Sequence, residues 1–368
     1  MSDFKIETLS QIHIGNGSFL QEGNDYIADD DYLYVLNTDK LGNIIGTDTE
    51  SIQLWTNAIM NGGASMFLKS RIQGHPLQDL AKRRIKRISD FDTGQSTLKE
   101  CMHDGLGKPY IPGSSIKGAI RTVVMSSLAR KEIVQRLNRE SDRKKWKKII
   151  QDIEGELLHF EAYSRTGKRD VSPSSDMFRF LSTGDASFDY GVEIAVKQVN
   201  LNITERNSLL DNKKTQVVEA IKPGVSSQFR LKIGEDFYRY SGIEDMQNLF
   251  KIINDHTYNL LCDEIDFWVK GEGSGYTGQD NYLDQLDIIL DKIEECQSNE
   301  CILRIGQASG WRFVTGAWLE EIDKQYFKNV IVPQCRPKNE RYRGYPFPKS
   351  RRIDSSSNVF GFVKLTVL

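Results

Sequence analysis

The clearest pattern of apolar and polar positions lies directly behind Pro112 and Gly113. Apolar residues recur at 116, 119, 120, 123, 124 and 128, a spacing that places them on one face of a helix. The pattern predicts a helix over 114–130, which runs into a basic helical stretch at 131–161. Because Pro112 and Gly113 end the extended segment before them, we expect the helix to begin directly behind this turn.

The remaining patterns of the first half predict strands mixed with helices. Strands are expected at 3–14, 33–38, 176–189 and 191–203, the last two joined by a tight turn near 189–191, and a short helix or turn is expected at 39–46. Residues 50–108 are mixed and polar, with a basic helix near 77–88, and we interpret them as an insertion. A strand–helix–strand set with a hairpin is typical of a ferredoxin-like, RRM-type domain.

The second half repeats this theme loosely. Strands are expected within 215–233, broken at Pro223-Gly224, and at 358–367, and helices are expected at 243–264 and 281–296. Residues 301–305 and 312–318 are apolar around a stretch of glycine and serine. We therefore predict an α+β fold of tandem ferredoxin-like (RRM-type) domains with helical insertions. The predicted N-terminal domain is 1–210, with insertions at about 50–108 and 131–161, and the C-terminal domain is 211–368, with one helical insertion. A single large domain with insertions is the alternative.

Composition narrows the class of protein. The 368 residues are 39% hydrophobic and have a mean hydropathy of −0.47, as expected for a soluble protein with an ordinary core. No apolar run approaches the length of a membrane span, and the first residues do not resemble a secretory signal. The five cysteines are odd in number and scattered, which favours reduced thiols and a cytoplasmic location.

The charge is balanced overall but clustered locally. The chain has 49 basic and 51 acidic residues and a net charge of −2, which argues against a protein that coats nucleic acid without selectivity. Basic tracts nevertheless occur at 82–87, 143–148 and 341–352. Such tracts suit a subunit that holds one RNA strand within a larger assembly, although each tract alone could be a solvated surface.

The start of the predicted helix at 114–130 combines several groups that bind phosphate. A glycine turn, free main-chain N–H groups, hydroxyls and cations come together there, from Gly113, Ser114, Ser115, Lys117, Gly118 and Arg121. A nucleotide is not expected, because Ala119 and Ile120 stand where a P-loop needs Lys and then Ser or Thr. The alternative is a capped helix with a solvated cationic face.

Four segments resemble a known family. The stretch IPGSSIKGAIRT (111–122) resembles the signature of RAMP-superfamily CRISPR proteins, and LSQIHIGNGS (9–18) is similar to their histidine–apolar–glycine–x–glycine opening. FRFLSTGDASF (178–188) resembles their later strand ending in aspartate, and RIGQASGWRFVTG (304–316) resembles their R-x-G-x-x-x-G segment. Order, spacing and length most resemble the Csm-type subunit that caps the crRNA 3′-end side of a type III-A effector complex.

The resemblance implies a non-catalytic crRNA-binding subunit without cofactor or metal. Such a subunit caps the filament of backbone subunits and supports crRNA 3′-end maturation. The partners implied are crRNA and target RNA, the backbone and small helical subunits of the complex, and host nucleases, with no membrane. Sequence specificity would come from base pairing between guide and target, not from the protein.

Three further groups of residues are candidates for RNA contact. They are His13, Gly15 and Gly17 of the opening turn; Gly306, Gly310, Trp311 and Arg312; and Lys349, Arg351 and Arg352. Glycines allow close approach of a sugar-phosphate chain, and aromatic residues interleaved with cations suit single-stranded RNA. The alternatives are a structural histidine, a tryptophan in the core and a surface loop without a partner.

A metal-dependent endoribonuclease acting on crRNA precursor or target RNA is the second functional hypothesis. Asp29, Asp30 and Asp31 could hold Mg²⁺, but three adjacent side chains on an extended chain cannot all face one way. An acidic turn is the favoured interpretation. Cys101 with His103, and Cys296 with Cys301, lack a second ligand pair at zinc-site spacing. A purely structural assembly protein is the third hypothesis.

Overall fold

The computed structural model describes residues 2–72, 76–89, 91, 97–129, 143–160, 172–204, 210–313, 318–332 and 345–368. Within these ranges the chain has a mixed α+β fold with two large sheets and one small two-stranded sheet. The predicted α+β class is confirmed, and the finer assignment to tandem ferredoxin-like domains stays a prediction. Among the described helices, none combines the length and apolar character needed to cross a bilayer.

Strands and helices alternate in several groups along the chain. In chain order the strands are β1 Ser2–Thr8, β2 Gly15–Leu20, β3 Tyr26–Ala28, β4 Tyr32–Leu36, β5 Ala81–Arg87, β6 Leu98–Cys101, β7 Tyr110–Ile111, β8 Leu181–Thr183, β9 Ala186–Ser187, β10 Glu193–Asn202, β11 Leu210–Ile221, β12 Ser226–Ile233, β13 Glu300–Arg304, β14 Ser350–Asp354 and β15 Phe362–Val367.

The described helices vary from a single turn to 24 residues. They are α1 Thr38–Ile45, α2 Thr49–Met60, α3 Ala64–Arg71, α4 Leu77–Leu80, α5 Gly113–Leu128, α6 Arg143–Leu158, α7 Glu235–Ser241, α8 Met246–Val269, α9 Asp280–Glu294, α10 Trp318–Ile322 and α11 Lys324–Tyr326. Short 3₁₀ turns cover Met177–Phe180 and Trp311–Phe313, and a π-helical turn covers Phe327–Ile331.

The first large sheet carries the main core. Its strand order is β13-β15-β1-β12-β8, and β1 pairs antiparallel with both β12 and β15. Apolar residues alternate along β1, so Phe4 and Ile6 point into one core together with Ile116 and Ile120 of α5 and Phe250 of α8. Helix α5 therefore covers this sheet with its apolar face.

The second large sheet has the order β2-β6-β11-β10-β5-β4-β3, and β14 also pairs with β10. Its strand β5 is polar except for Ala81 and Ile85. Lys82, Arg84 and Lys86 are exposed, whereas Ile85 is fully buried, which is the alternation of a strand with one solvated face. The sheet therefore displays cations on one side of β5.

Several predicted elements are confirmed and others are wrong. The helices expected at 114–130, 243–264 and 281–296 correspond to α5, α8 and α9. The basic helix expected near 77–88 is wrong, because α4 ends at Leu80 and β5 follows as an integral sheet strand. The hairpin expected across 176–203 is also wrong, since β8 pairs with β12 while β10 pairs with β11. Residues 131–142 of the expected basic helical stretch lie outside the described residues.

The expected division near residue 210 does not coincide with a division between sheets. The first sheet combines β1 and β8 with β12, β13 and β15, and the second combines β2 to β6 with β11 and β14. Both sheets thus take strands from both sides of that position. The division into 1–210 and 211–368 stays a prediction.

Candidate nucleic-acid interface

The start of α5 is held by an aspartate from a distant part of the chain. The main-chain N–H of Gly113 donates to Asp185 Oδ1 at 2.8 Å, and the N–H of Ser115 donates to the Pro112 carbonyl at 2.9 Å. A carboxylate at a helix N-terminus is favourable for the helix but repels a second anion. The Gly113 N–H is therefore not available to a phosphate, and the predicted cradle stays a prediction for the exposed groups of this turn.

Gly113 is required by the packing of the protein itself. It is buried, and a Cβ at this position would overlap the carbonyl oxygens of Thr183 and Gly184 between β8 and β9. The close approach that the sequence predicts is thus an approach of two protein segments, 111–122 and 178–188. Gly113 is therefore not expected to contact RNA, because it is buried against another segment of the protein.

The remaining polar groups of α5 differ in their partners. Ser114 and Gly118 are exposed, and Ser115 and Lys117 are partly exposed. Arg121 forms an ion pair with Asp176, Nη1 to Oδ2 at 2.6 Å, and lies over the ring of Phe178. Lys117 has no ion pair within the described part of the chain. Lys117 is therefore the cation of this helix that is best placed to meet an external phosphate.

The two glycine turns meet each other. The N–H of Gln307 donates to the His13 carbonyl at 2.9 Å, and a Cβ on Gly306 would lie 2.7 Å from that same oxygen. Gly306 has a φ of +80°, so a side chain there would be disfavoured by conformation as well as by space. Gly15, Gly17 and Gly310 remain exposed, and their contact with RNA stays a prediction.

His13 itself does not face solvent. It is 1% exposed, and its Nδ1 donates to the Glu219 carbonyl at 2.6 Å. Burial lowers the pKa of the His13 imidazole below its usual value, which favours the neutral ring. The prediction that His13 contacts RNA is corrected, and the alternative of a structural histidine fits the observed position.

Two predicted RNA-binding arginines belong to a buried ion cluster that we call the Glu264 cluster: Glu264, Arg312, Arg351 and Glu320. Arg351 binds Glu264 through two hydrogen bonds of 2.6 and 3.0 Å, and Arg312 bridges Glu264 and Glu320. Arg312 and Arg351 are each 8% exposed. RNA contact by these two residues is corrected, because their guanidinium groups are already buried and paired.

The electrostatics of the Glu264 cluster are those of a structural ion pair. Burial alone would raise the pKa of the Glu264 carboxyl, but Arg351 and Arg312 lower it to about 2. Trp268 Nε1 also donates to Glu264 Oε1 at 2.9 Å, and the Arg351 guanidinium lies 4.3 Å from the centre of the Phe267 ring. The cluster ties α8 to β14 and to the turn at Trp311–Phe313.

The residues next to these arginines in the sequence differ in burial. Trp311 packs against Phe327 and Phe347, with ring centres 4.9 and 5.3 Å away, which supports the alternative of a core residue. Arg352 is partly exposed and donates to Gln198 Oε1 at 2.9 Å. RNA contact by Arg352 and by the partly exposed Lys349 stays a prediction. The predicted tract at 341–344 lies outside the described residues.

The structure places a cationic surface where the sequence predicted a helix. We call Lys82, Arg84 and Lys86 the basic strand face; the Arg84 guanidinium lies over the Tyr32 ring at 5.1 Å. Paired residues of neighbouring strands point to the same side of a sheet, so the register from β5 through β10, β11 and β6 places Lys99 on this face as well. Phe19, 54% exposed, pairs with Lys99. The run itself carries no signal for this face, because Arg83 and Arg87 are cations too and only pairing with β4 and β10 separates them from the exposed positions.

The opposite face of the same sheet buries a second charged group, which we call the Glu219 cluster: Arg83, Glu100, His103, Glu193 and Glu219. Arg83 Nη2 lies 2.8 Å from Glu100 and 3.1 Å from Glu219. Among the described residues, the group of three potential metal ligands that lies close enough to share an ion is Glu100, His103 and Glu219. Sequence spacing could not find it, because the three residues come from different strands and a turn.

The acidic run considered for a nuclease is a turn. Asp29 Oδ1 accepts the main-chain N–H groups of Asp31 and Tyr32 at 2.9 and 2.7 Å, and its Oδ2 accepts the hydroxyl of Tyr34. Asp30 and Asp31 are exposed. This geometry matches the favoured interpretation of an acidic turn between two strands.

Comparison with known proteins now decides the family. The sequence model of the RAMP superfamily matches residues 5–313, most of the chain. The chain belongs to the RAMP superfamily. This RAMP protein is 30% identical over 139 residues to the CRISPR system Cms protein Csm5 of Streptococcus thermophilus. That match covers 33% of this chain and 36% of the relative, about a third of each.

Solved structures share the fold of this RAMP protein over nearly its whole length. A chain of the Csm–crRNA–target RNA ternary complex of a type III-A CRISPR-Cas system matches with a TM-score of 0.69 and 21% identity, covering 99% of this chain and 100% of that chain. The crystal structure of T. onnurineus Csm5 matches with a TM-score of 0.65 and 19% identity, over the same shares. At this level of identity the likeness shows the fold.

Proposed function

We propose that this RAMP protein is a Csm5-type subunit of a type III-A CRISPR effector complex. In this role it binds crRNA without cutting it, ends the stack of backbone subunits and supports maturation of the crRNA 3′ end. The observation that carries the proposal is the likeness of the fold, along 99% of the chain, to a chain of a complex that contains crRNA and target RNA. Its proposed partners are therefore crRNA, target RNA, the backbone and small helical subunits, and host nucleases.

The basic strand face is the surface proposed to hold the RNA backbone. Its three cations are exposed and project from one strand at alternate positions, about 7 Å apart along the strand. That spacing suits successive phosphates of a single strand, and the cations carry no information on base sequence. Lys99 with Phe19 lies on the same side of the sheet but is separated from β5 by buried positions of β10 and β11, so it is a separate proposed contact, as is Lys117 at α5.

The experiment removes the charges of this face in the assembled complex. The triple variant Lys82→Ala, Arg84→Ala and Lys86→Ala is reconstituted with the other subunits and a crRNA that carries 4-thiouridine near its 3′ end. We expect crosslinks to this subunit to be lost and the salt dependence of crRNA retention to become shallower by about 2 units, since each phosphate contact on a single strand contributes about 0.7. The matched control removes three exposed lysines elsewhere: Lys232→Ala, Lys251→Ala and Lys270→Ala.

Two results would contradict the proposal. One is a crosslink yield and salt slope in the triple variant that equal those of the wild type in an intact complex. The other is an equal loss in the control, which would make the effect one of net charge. A parallel incubation of the purified chain with Mg²⁺ or Mn²⁺ tests the nuclease hypothesis; we expect precursor crRNA and target RNA to stay uncut.

A further inference from the structure

The Glu219 cluster brings three carboxyl groups together around one guanidinium. Glu100, Glu193 and Glu219 all lie close to Arg83. Glu193 is 2% exposed and Glu219 is 0% exposed. Burying unpaired charge is costly, and buried carboxylates are ordinarily paired or bound to a metal ion.

The orientation of His103 adds an independent observation. Its Nδ1 lies 3.0 Å from the main-chain carbonyl of Cys101, which can only accept, so this nitrogen carries the proton. The other nitrogen, Nε2, is buried without a hydrogen-bond partner, and its side chain is 9% exposed. Nε2 therefore faces two carboxylates, Glu193 and Glu219, without forming a hydrogen bond to either. A cation between these three groups would be in contact with all of them.

The distances fit a shared cation better than a hydrogen bond. Nε2 lies 3.6 Å from Glu193 Oε1 and 3.6 Å from Glu219 Oε1. A hydrogen bond between these atoms would measure about 2.7–3.2 Å. When one nitrogen and one oxygen bind the same Zn²⁺ at about 2.0–2.2 Å and at a tetrahedral angle, the two ligand atoms lie roughly 3.3–3.5 Å apart. One oxygen of Glu193, Oε2, also has no hydrogen-bond partner.

The surroundings hold the ligands in place, as in known metal sites. A histidine ligand usually donates its second ring N–H to a carbonyl or carboxylate, which His103 does. Glu219 accepts from Arg83 and from the N–H of Cys101 at 3.0 Å. Glu100 is fixed by Arg83 and by Asn16 Nδ2 at 2.8 Å, and Asn16 belongs to the exposed turn Gly15–Gly17.

We propose that Glu100, His103 and Glu219, which lie close enough together to share an ion, form a structural site for a divalent transition-metal ion such as Zn²⁺, with Glu193 facing the same imidazole nitrogen. One imidazole nitrogen with carboxylate oxygens suits Zn²⁺ or Mn²⁺ better than Mg²⁺, which prefers oxygen ligands and keeps several waters. The ion would neutralise the cluster and join β6, β10 and β11 to the turn at Gly15–Gly17. This site is buried on the face opposite the basic strand face, and it goes beyond the proposed RNA-binding function.

The test measures metal bound to the full-length chain in the absence of RNA. Purified protein is stripped with chelator, exposed to Zn²⁺, Mn²⁺ or Mg²⁺, desalted and analysed by mass spectrometry for metal content. We expect about one Zn²⁺ per chain, a higher melting temperature with Zn²⁺, and a visible absorption band when Co²⁺ replaces it. His103→Ala and Glu193→Gln should each lower the affinity for Zn²⁺ at least about tenfold.

The control is His159→Ala, which removes a histidine that lies beside Asp176 and contacts Ser175 at 2.8 Å. It should bind Zn²⁺ like the wild type. The proposal is overturned if wild-type protein retains no Zn²⁺ and shows no Co²⁺ band, or if His159→Ala loses as much metal as His103→Ala. The wild-type measurements stand even where a variant fails to fold, and they leave the RNA-binding proposal untouched.

Discussion

The Glu264 cluster and the basic strand face contain the same kinds of side chain in opposite situations. In the first, two arginines are buried, share one carboxylate and contact aromatic rings. In the second, three cations alternate along β5 and point to solvent. The comparison teaches that a basic run in a sequence has no fixed meaning. Burial and an available carboxylate decide whether its charges stabilise the protein or remain free for a partner.

The largest expected effect comes from removing the shared carboxylate. Glu264→Ala leaves Arg312 with one acidic partner and Arg351 with none among the residues described here, and we expect the free energy of unfolding to fall by about 3–5 kcal/mol. Urea denaturation measures it. The exposed Glu244→Ala should change stability by less than about 0.5 kcal/mol. A loss of less than about 1 kcal/mol in Glu264→Ala would contradict this prediction, because the buried cluster would then contribute no more to stability than exposed charges do.

Lowering the pH should have the next largest effect, because it weakens the Glu264 cluster and leaves the basic strand face charged. The pKa of Glu264 is about 2 in the folded protein, well below its unfolded value, so the stabilisation is complete above pH 5. It is lost as the pH falls towards 2, by up to about 3 kcal/mol, because the unfolded chain takes up the proton first. Unfolding followed from pH 7 to pH 2 measures it. Glu264→Gln should flatten this part of the profile and the control Glu244→Gln should not; equal profiles would contradict the assignment.

Replacing arginine by lysine tests geometry against charge. Arg351→Lys keeps the charge but loses the paired hydrogen bonds to Glu264 and the ring contact, and we expect a loss of about 2 kcal/mol. Arg84→Lys should leave stability within about 0.5 kcal/mol and crRNA retention near the wild-type value, because a phosphate also accepts a lysine. Denaturation and filter binding measure both. Similar losses of stability in Arg351→Lys and Arg84→Lys would contradict the distinction between a buried and an exposed arginine.

Helix α5 offers the same contrast within one element, with the smallest effects. Arg121→Ala breaks a partly exposed ion pair with Asp176 and should cost about 0.5–1 kcal/mol. Lys117→Ala should leave stability unchanged and lower the salt slope of crRNA retention by about 0.7, one phosphate contact. If Arg121→Ala lowers the slope and Lys117→Ala does not, the assignment of the free cation is reversed.

The sequence predicted those features that depend on local spacing. The helix at α5 could be read because its apolar residues repeat every three to four positions and need no distant partner. The helices α8 and α9 were found in the same way. The basic helix predicted near 77–88 is wrong over Ala81–Arg87, because this segment forms a strand through pairing with β4 and β10, which no local spacing reveals.

The remaining errors concern partners that are far apart in the chain. Asp185 accepts from Gly113 across 72 residues, and Glu264 binds Arg312 and Arg351 across 48 and 87 residues. No periodicity in one sequence reveals such pairs. The Glu219 cluster has the same cause, since strand pairing brings its members from β5, β6, β10 and β11 to one face of a sheet, beside His103.

The position of β1 has a consequence for synthesis on the ribosome. This strand is synthesised before both of its neighbours, β12 and β15, which begin at Ser226 and Phe362. Until those segments have emerged, Phe4 and Ile6 have no sheet to join, and closing such long loops slows folding. The nascent chain therefore exposes Phe4 and Ile6 until those segments have been made, which makes this protein a natural client for chaperones.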